Sequence, residues 1–274
     1  VRPYQKNNFY FDRADNYIAS TGYAQIRTKH NSRYLYQFLH TEKFVKKVLI
    51  RCTGTSYPAI NSKDLANINI NFPSPPEQQK IASFLTAVDD KIQQLQRKKE
   101  LLEQYKKGVM QKIFKQEIRF KDNDGKEFPE WGEKQLEEVC KFFSGGTPTS
   151  TKKDYYSGTI PFIGSGNISD ENVSQFISQD ALNSSSAKIV EKGDLLYALY
   201  GATSGQVSLS RINGAINQAV LCIRTVEYKE FLFQYLKFKK ESILSKYLQG
   251  GQGNLSAQII KKIKYPFPSI PEQQ

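Results

Sequence analysis

The chain has 274 residues, and its 39 Lys and Arg against 27 Asp and Glu leave a formal charge of +12 at pH 7. Hydrophobic residues at 39% and charged residues at 24% fit a globular protein and exclude a collagen-like or wholly disordered chain. No apolar run approaches the ~18 residues that span a bilayer and no signal-peptide pattern opens the sequence, so no membrane partner is expected and the cytoplasm is the expected compartment. Three widely separated cysteines, Cys52, Cys140 and Cys222, indicate neither a disulfide framework nor a zinc ligand set, and no metal is expected. The positive charge is densest at the start, where residues 1–75 carry 11 basic and 4 acidic side chains. Such an excess fits a polyanionic partner such as nucleic acid, and fits plain solubility equally well.

In chain order, the first informative feature is that the sequence repeats itself. Phe72-Pro73-Ser74-Pro75-Pro76-Glu77-Gln78-Gln79 returns 195 residues later as Phe267-Pro268-Ser269-Ile270-Pro271-Glu272-Gln273-Gln274. Tyr34-Leu35-Tyr36-Gln37-Phe38-Leu39 returns as Phe231-Leu232-Phe233-Gln234-Tyr235-Leu236, and Ile26-Arg27-Thr28 as Ile223-Arg224-Thr225, both 197 residues on. Three blocks in order, with a two-residue indel between them, describe two diverged copies of one domain. The period is too long for a solenoid.

Between the copies the strongest helical signal begins at Ser74-Pro75-Pro76-Glu77, read as a capping box with Ser74 as cap and Glu77 at the third helical position. Leu85, Val88, Ile92, Leu95, Leu102, Val109 and Ile113 then form a stripe in steps of three and four, interrupted by Lys99 and Lys106. The pattern predicts a helix from about 76 to about 116, about 60 Å long at 1.5 Å per residue. Such a helix bridges domains and its stripe calls for a partner helix, so self-association through it is an expected property. Its lysines (Lys98, Lys99, Lys106, Lys107, Lys112) read as a solvated face in preference to a DNA track.

Residues 120–131 form a polar turn between apolar anchors and mark entry into a second domain. Within it Ile160–Ile163, Asp194–Tyr200 and Ala219–Arg224 are strand candidates, and Glu230–Leu248 has helical spacing. The predicted fold class is α+β.

Catalytic signatures are missing from the sequence. Ser144-Gly145-Gly146-Thr147-Pro148 lacks the ending of a P-loop, and Gly164-Ser165-Gly166 lacks the third glycine of a dinucleotide fingerprint. His30 and His40 both fall in the first copy, so the second has no histidine for a hydrolase triad. Asn71-Phe72-Pro73 only superficially resembles an amino-methyltransferase signature. The expectation is a binding module and not an enzyme.

Taken together, these residues resemble the DNA-specificity subunit of type I restriction-modification enzymes. The carriers are the Phe-Pro-x-x-x-Glu-Gln-Gln segments opening a long helix, Ile81-Ala82-Ser83-Phe84-Leu85 and Leu101-Leu102 within it, Trp131 with Leu136, Ser144–Pro148, and Ile160–Ile168. The resemblance covers essentially the whole chain. It implies target-recognition domains, each reading half of a bipartite double-stranded DNA site, held apart by antiparallel spacer helices. It also implies modification (methyltransferase) subunits that methylate adenine and restriction (endonuclease/translocase) subunits as partners. S-adenosylmethionine, ATP and Mg would belong to those partners, with no cofactor in this subunit. On this reading residues 1–75 are the C-terminal part of a first recognition domain, 76–118 the spacer helix, 119–127 a linker, 128–266 a second recognition domain and 267–274 the start of a second spacer. The pattern is then truncated at both ends. A different class remains open, a half-subunit scaffold that binds modification subunits without reading DNA.

Within that reading the expected DNA contacts lie on loops, because phosphates are held by Lys and Arg while base edges are read from the groove. Lys152, Lys153, Tyr155 and Tyr156 follow a Gly/Ser/Thr-rich stretch. Tyr200, Thr203 and Ser204 lie in a loop of small residues. Gln249, Gln252 and Asn254 offer amides suited to adenine, and Thr55, Ser56 and Tyr57 occupy the corresponding place in the first copy. Each set is equally readable as a solvated loop or a tight turn.

Overall fold

Buried apolar side chains and the caps between them divide the chain into two compact units, with the boundary between Glu103 and Gln104. The structure, a computed structural model, describes residues 8–13, 16–54, 58–247 and 254–274.

In the first unit, three short helices start on residues that satisfy their own orphan amides. Asn31 caps α1 (Ser32–Leu39), Thr41 caps α2 (Glu42–Leu49) and Asn61 caps α3 (Ser62–Ala66), each side chain accepting from the amide three residues on. Phe44, Val48, Ile60 and Ile68 form the core, with Phe38, Leu39, Cys52, Leu65 and Ile70 around them. The predicted long helix is α4, Pro75–Phe114, 40 residues. It ends where Gln116 turns to a φ of +59° and the Glu117 amide reaches back to the Lys112 carbonyl at 2.8 Å, a Schellman-type stop made without glycine. On its predicted stripe, Val88, Ile92, Leu95 and Leu102 are exposed. At its start Glu77 is exposed, and the buried polar side chain is its neighbour Gln78. The Gln78 amide serves two helices at once, accepting from the Asn31 amide at the start of α1 and donating to the Pro73 carbonyl just before its own helix.

In the second unit, strands stack in two sheets under one helix. The first sheet has the order β2 (Cys140–Ser144), β9 (Val220–Thr225), β6 (Leu195–Ala198), β7 (Val207–Leu209), all antiparallel. The second has the order β4 (Phe176–Ile177), β3 (Ile160–Ile163), β8 (Gly214–Ile216), β5 (Lys188–Val190), with β3 and β8 parallel. A two-stranded ribbon pairs β1 (Gly132–Gln135) with β10 (Lys264–Phe267). Three of the predicted elements appear as β3, β6 and β9, and the helical spacing from Glu230 as α7 (Lys229–Tyr247). The α+β class holds.

The central strands β6 and β9 are buried on both faces, which is why they read as continuous apolar runs and not as alternation. Leu196, Ala198, Val220 and Cys222 face Ile163, Ile216 and Val190 of the other sheet. Leu195, Tyr197, Leu221 and Ile223 face α7 through Leu232, Tyr235, Leu236 and Ile243. Each fully buried aliphatic side chain here contributes about 1.5–3 kcal/mol. The last turn of α4 joins this core by Phe114, whose ring lies 5.5, 5.3 and 5.0 Å from those of Phe231, Tyr235 and Phe238.

The internal repeat is also a repeat of structure. α3 has its counterpart 195 residues later in α8 (Ala257–Lys261), capped by Ser256 as α3 is by Asn61, and the start of α4 has its counterpart in α9 (Ile270–Gln273). α7 takes the place of α1 and α2, which Thr41 separates by capping a new helix in the first copy.

Candidate nucleic-acid interface

Strand directions bring four loops of the second unit to one end. Ser144 of β2 pairs with Leu221 and Ala198 of β6 with Val220, so the ends of β2 and β6 meet the start of β9. Ile163 of β3 pairs with Ile216 of β8, which places both of those strand ends there too. The loops following β2, β3 and β6 and the three-residue β8–β9 connection, Asn217-Gln218-Ala219, therefore form a cluster.

Backbone bonds tie the cluster together. The Gly145 amide donates to the Asn217 carbonyl at 3.2 Å, the Asn217 amide to Ile163 at 3.4 Å and the Leu199 amide to Ala219 at 2.8 Å. Gly145 is required by packing, because a Cβ there would stand 1.7 Å from the Ile216 carbonyl oxygen. At Gly146 a Cβ would stand 2.7 Å from that of Ser186. Gly145 thus lets the end of β2 close on β8, and Gly146 lets the chain approach the segment before β5.

At the surface of the cluster the Thr147 hydroxyl donates to the Gln218 amide oxygen at 2.6 Å. Both side chains are exposed, and Thr147 holds the Gln218 amide in one orientation. Asn217 is half-buried and its Oδ1 accepts from the Ala219 amide at 3.0 Å. Sequence reading missed Thr147, Asn217 and Gln218. The available signal was a pair of amides between two apolar runs, Gly214–Ile216 and Ala219–Ile223.

Of the residues expected to meet DNA, Tyr200, Thr203 and Ser204 lie in the β6–β7 loop of this cluster. Gly201 and Gly205 adopt φ of +81° and +80° there. Ser204 is buried and its hydroxyl donates to the Leu199 carbonyl at 3.0 Å, so it shapes the turn. Tyr200 and Thr203 are half-buried. Asn254 is exposed beside the same loop, next to the fully buried Leu255, whose amide bonds the Leu199 carbonyl at 3.0 Å. Lys152 and Lys153 are exposed at the entry to a 3-10 turn, Lys153–Tyr156. The Lys152 ammonium lies 3.1 Å from the Tyr155 hydroxyl and 4.9 Å from its ring centroid. Hydrogen bonds from Ser184 and then Lys152 lower the Tyr155 pKa. The Tyr156 hydroxyl donates to the Pro148 carbonyl at 2.6 Å while its ring packs on the Phe162 cluster. The two tyrosines thus seat the loop, and the two lysines face solvent beside the exposed Asp154 carboxylate. Gln249, Gln252, Thr55, Ser56 and Tyr57 lie outside the described residues. Among the described residues, no group of three or more His, Cys, Asp and Glu could hold a metal ion, and no helix is long and apolar enough to cross a membrane.

The family profile described as type I restriction modification DNA specificity domain matches residues 6–104 and 129–274. The chain belongs to this family. As a specificity-domain protein it is 31% identical over 260 residues to the type I restriction enzyme MjaVIII specificity subunit of Methanocaldococcus jannaschii, covering 85% of this chain and 58% of the relative. The chain thus spans under three-fifths of that relative's length. Its fold is shared with a solved structure described under complex assembly and conformational transition of the type I R-M system, at a TM-score of 0.61 and 22% identity over 99% of this chain and 69% of the other. It is also shared with the S subunit of a type I restriction-modification system from M. genitalium, at a TM-score of 0.58 and 19% identity over 88% and 61% of the two chains.

Proposed function

We propose that this chain recognises double-stranded DNA sequence within a type I restriction-modification complex and contributes no catalytic group of its own. The observation that carries the reading is the loop cluster at one end of the second specificity domain, where exposed Thr147, Gln218 and Asn254 surround a backbone held rigid by strand-end hydrogen bonds. Gln side chains pair bidentately with adenine in the major groove, and a pre-oriented amide does so at low entropic cost. The exposed lysines Lys152 and Lys153 supply phosphate contacts that position the domain on the duplex. In this proposal residues 1–75 belong to one recognition domain and residues 128–266 to another. Modification subunits methylate adenine with S-adenosylmethionine, and restriction subunits use ATP and Mg to cleave, in the cytoplasm. The exposed stripe on α4 takes a partner helix.

Binding to cognate and unrelated duplexes, measured with the modification subunits present, separates the two roles. Replacing Lys152 and Lys153 by Ala should weaken binding to all duplexes alike and reduce the salt slope by up to about 2. Gln218→Ala should cost about 1–3 kcal/mol on the cognate sequence and much less on unrelated DNA. No loss from either change would refute a DNA face at this end of the domain.

A further inference from the structure

The repeated Glu-Gln-Gln segment carries a device that its role as a sequence landmark does not explain. In the first copy Gln78 is 2% exposed. Its Oε1 accepts the backbone amide of Asn31 at 3.2 Å and its Nε2 donates to the Pro73 carbonyl at 2.7 Å. In the second copy Gln273 is 4% exposed. Its Oε1 accepts the amide of Tyr228 at 3.3 Å and its Nε2 donates to the Pro268 carbonyl at 2.9 Å. Asn31 is the N-cap of α1, and Tyr228 immediately precedes α7. In an ordinary capping box, the N-cap amide is bonded by a side chain three residues further along the same helix. Here that side chain comes from another helix, 47 and 45 residues away in the two copies.

Only a glutamine fits both bonds. Glutamate has no hydrogen for the proline carbonyl, lysine has no acceptor for the amide, and asparagine is shorter by a methylene. Buried amides and carbonyls left without these partners would be costly, so the pairing holds one geometry against alternatives.

We infer that Gln78 and Gln273 are positioning residues: each bonds the backbone amide at the start of a recognition-domain helix from the helix that starts in the Glu-Gln-Gln segment, completing with Asn31 a capping box split between two helices in the first copy, and so sets the direction in which that helix leaves its domain. In the first unit Asn31 adds a second tie, its Nδ2 donating to the Gln79 amide oxygen at 2.8 Å. In the second unit the segment is held further by Glu272, which takes three hydrogen bonds from Arg119. The inference rests on the proposed DNA-reading role only for its consequence, that helix direction governs how half-sites are spaced.

The test uses the full chain without DNA, so its failure and the failure of the DNA-reading proposal are separate results. Nitroxide labels are attached through p-acetylphenylalanine at positions 43 and 98, on α2 and α4 of the first unit, which leaves the native cysteines unmodified. Distances are then measured by double electron–electron resonance. In Gln78→Met the width of the distance distribution should roughly double as the helix samples more directions, while Lys80→Met, at an exposed neighbour, keeps the native width. If Gln78→Met loses its cooperative unfolding transition, Gln78→Glu replaces it: the acceptor remains, the donor is lost, and broadening is again expected. A native width in the folded variant, or equal broadening in Lys80→Met, would overturn the inference.

Discussion

Gly145, Cys222 and Gln218 show how differently single residues speak through a sequence. Gly145 sits in a glycine pair that invites a ligand reading, yet its missing Cβ makes room for the Ile216 carbonyl of a strand that comes some seventy residues later. That role was not legible, because it depends on a non-local neighbour. Cys222 was read only as an unpaired thiol. In the structure, burial pushes its pKa up to about 12 and that of Cys140 to about 11, and burial also raises Tyr197, Tyr235 and Tyr265. All five ionise more readily in the unfolded chain, where thiols titrate near 8.5 and tyrosine near 10. Above about pH 8.5 the unfolded state therefore holds fewer protons than the folded one, and stability falls as pH rises. Each further pH unit removes up to about 1.4 kcal/mol per buried thiol until the folded pKa is reached. The thermal midpoint should accordingly drop between pH 8 and pH 10.5. A flat or rising midpoint would contradict the buried placement of these groups. Gln218 was overlooked because nothing local distinguishes an amide that Thr147 orients from one in an ordinary turn.

Among elements, legibility followed length and locality. The 40-residue α4 was visible from its stripe, and β3, β6, β9 and α7 from runs of apolar residues. β4, β5, β7 and β8 are two or three residues long and owe their existence to partners elsewhere in the chain. β1 is Gly-Glu-Lys-Gln and pairs with β10 more than a hundred residues on, so neither propensity nor alternation announces it. What the stripe of α4 did not reveal is its partner. Val88, Ile92, Leu95 and Leu102 are about half exposed, and covering each is worth about 1.5–3 kcal/mol. We expect the isolated chain to self-associate through this face at micromolar concentration in sedimentation, and Leu95→Glu with Leu102→Glu to return it to a monomer. A wild-type chain that stays strictly monomeric would argue against the stripe as a pairing surface.

In the molecule as a whole, a duplicated specificity-domain sequence folds so that the second unit presents oriented polar side chains at one end of two stacked sheets. The same sheets explain why the proposed reading surface is made of loops. β6 and β9 are committed on both faces to the core, so variable chemistry has room only where strands end. The charge excess of residues 1–75 and the exposed lysines of the loop after β2 suit a polyanion, but they discriminate no sequence. Under the proposed function, discrimination falls to Gln218 with Thr147 and to Asn254. The most direct measurement is methylome sequencing of cells in which this chain, native or Gln218→Ala, is expressed with its modification subunits. The native chain should direct adenine methylation to one defined motif, and Gln218→Ala should make one base position of that motif degenerate. An unchanged motif methylated less often at every site would show that the cluster positions DNA without reading it, and would contradict the account.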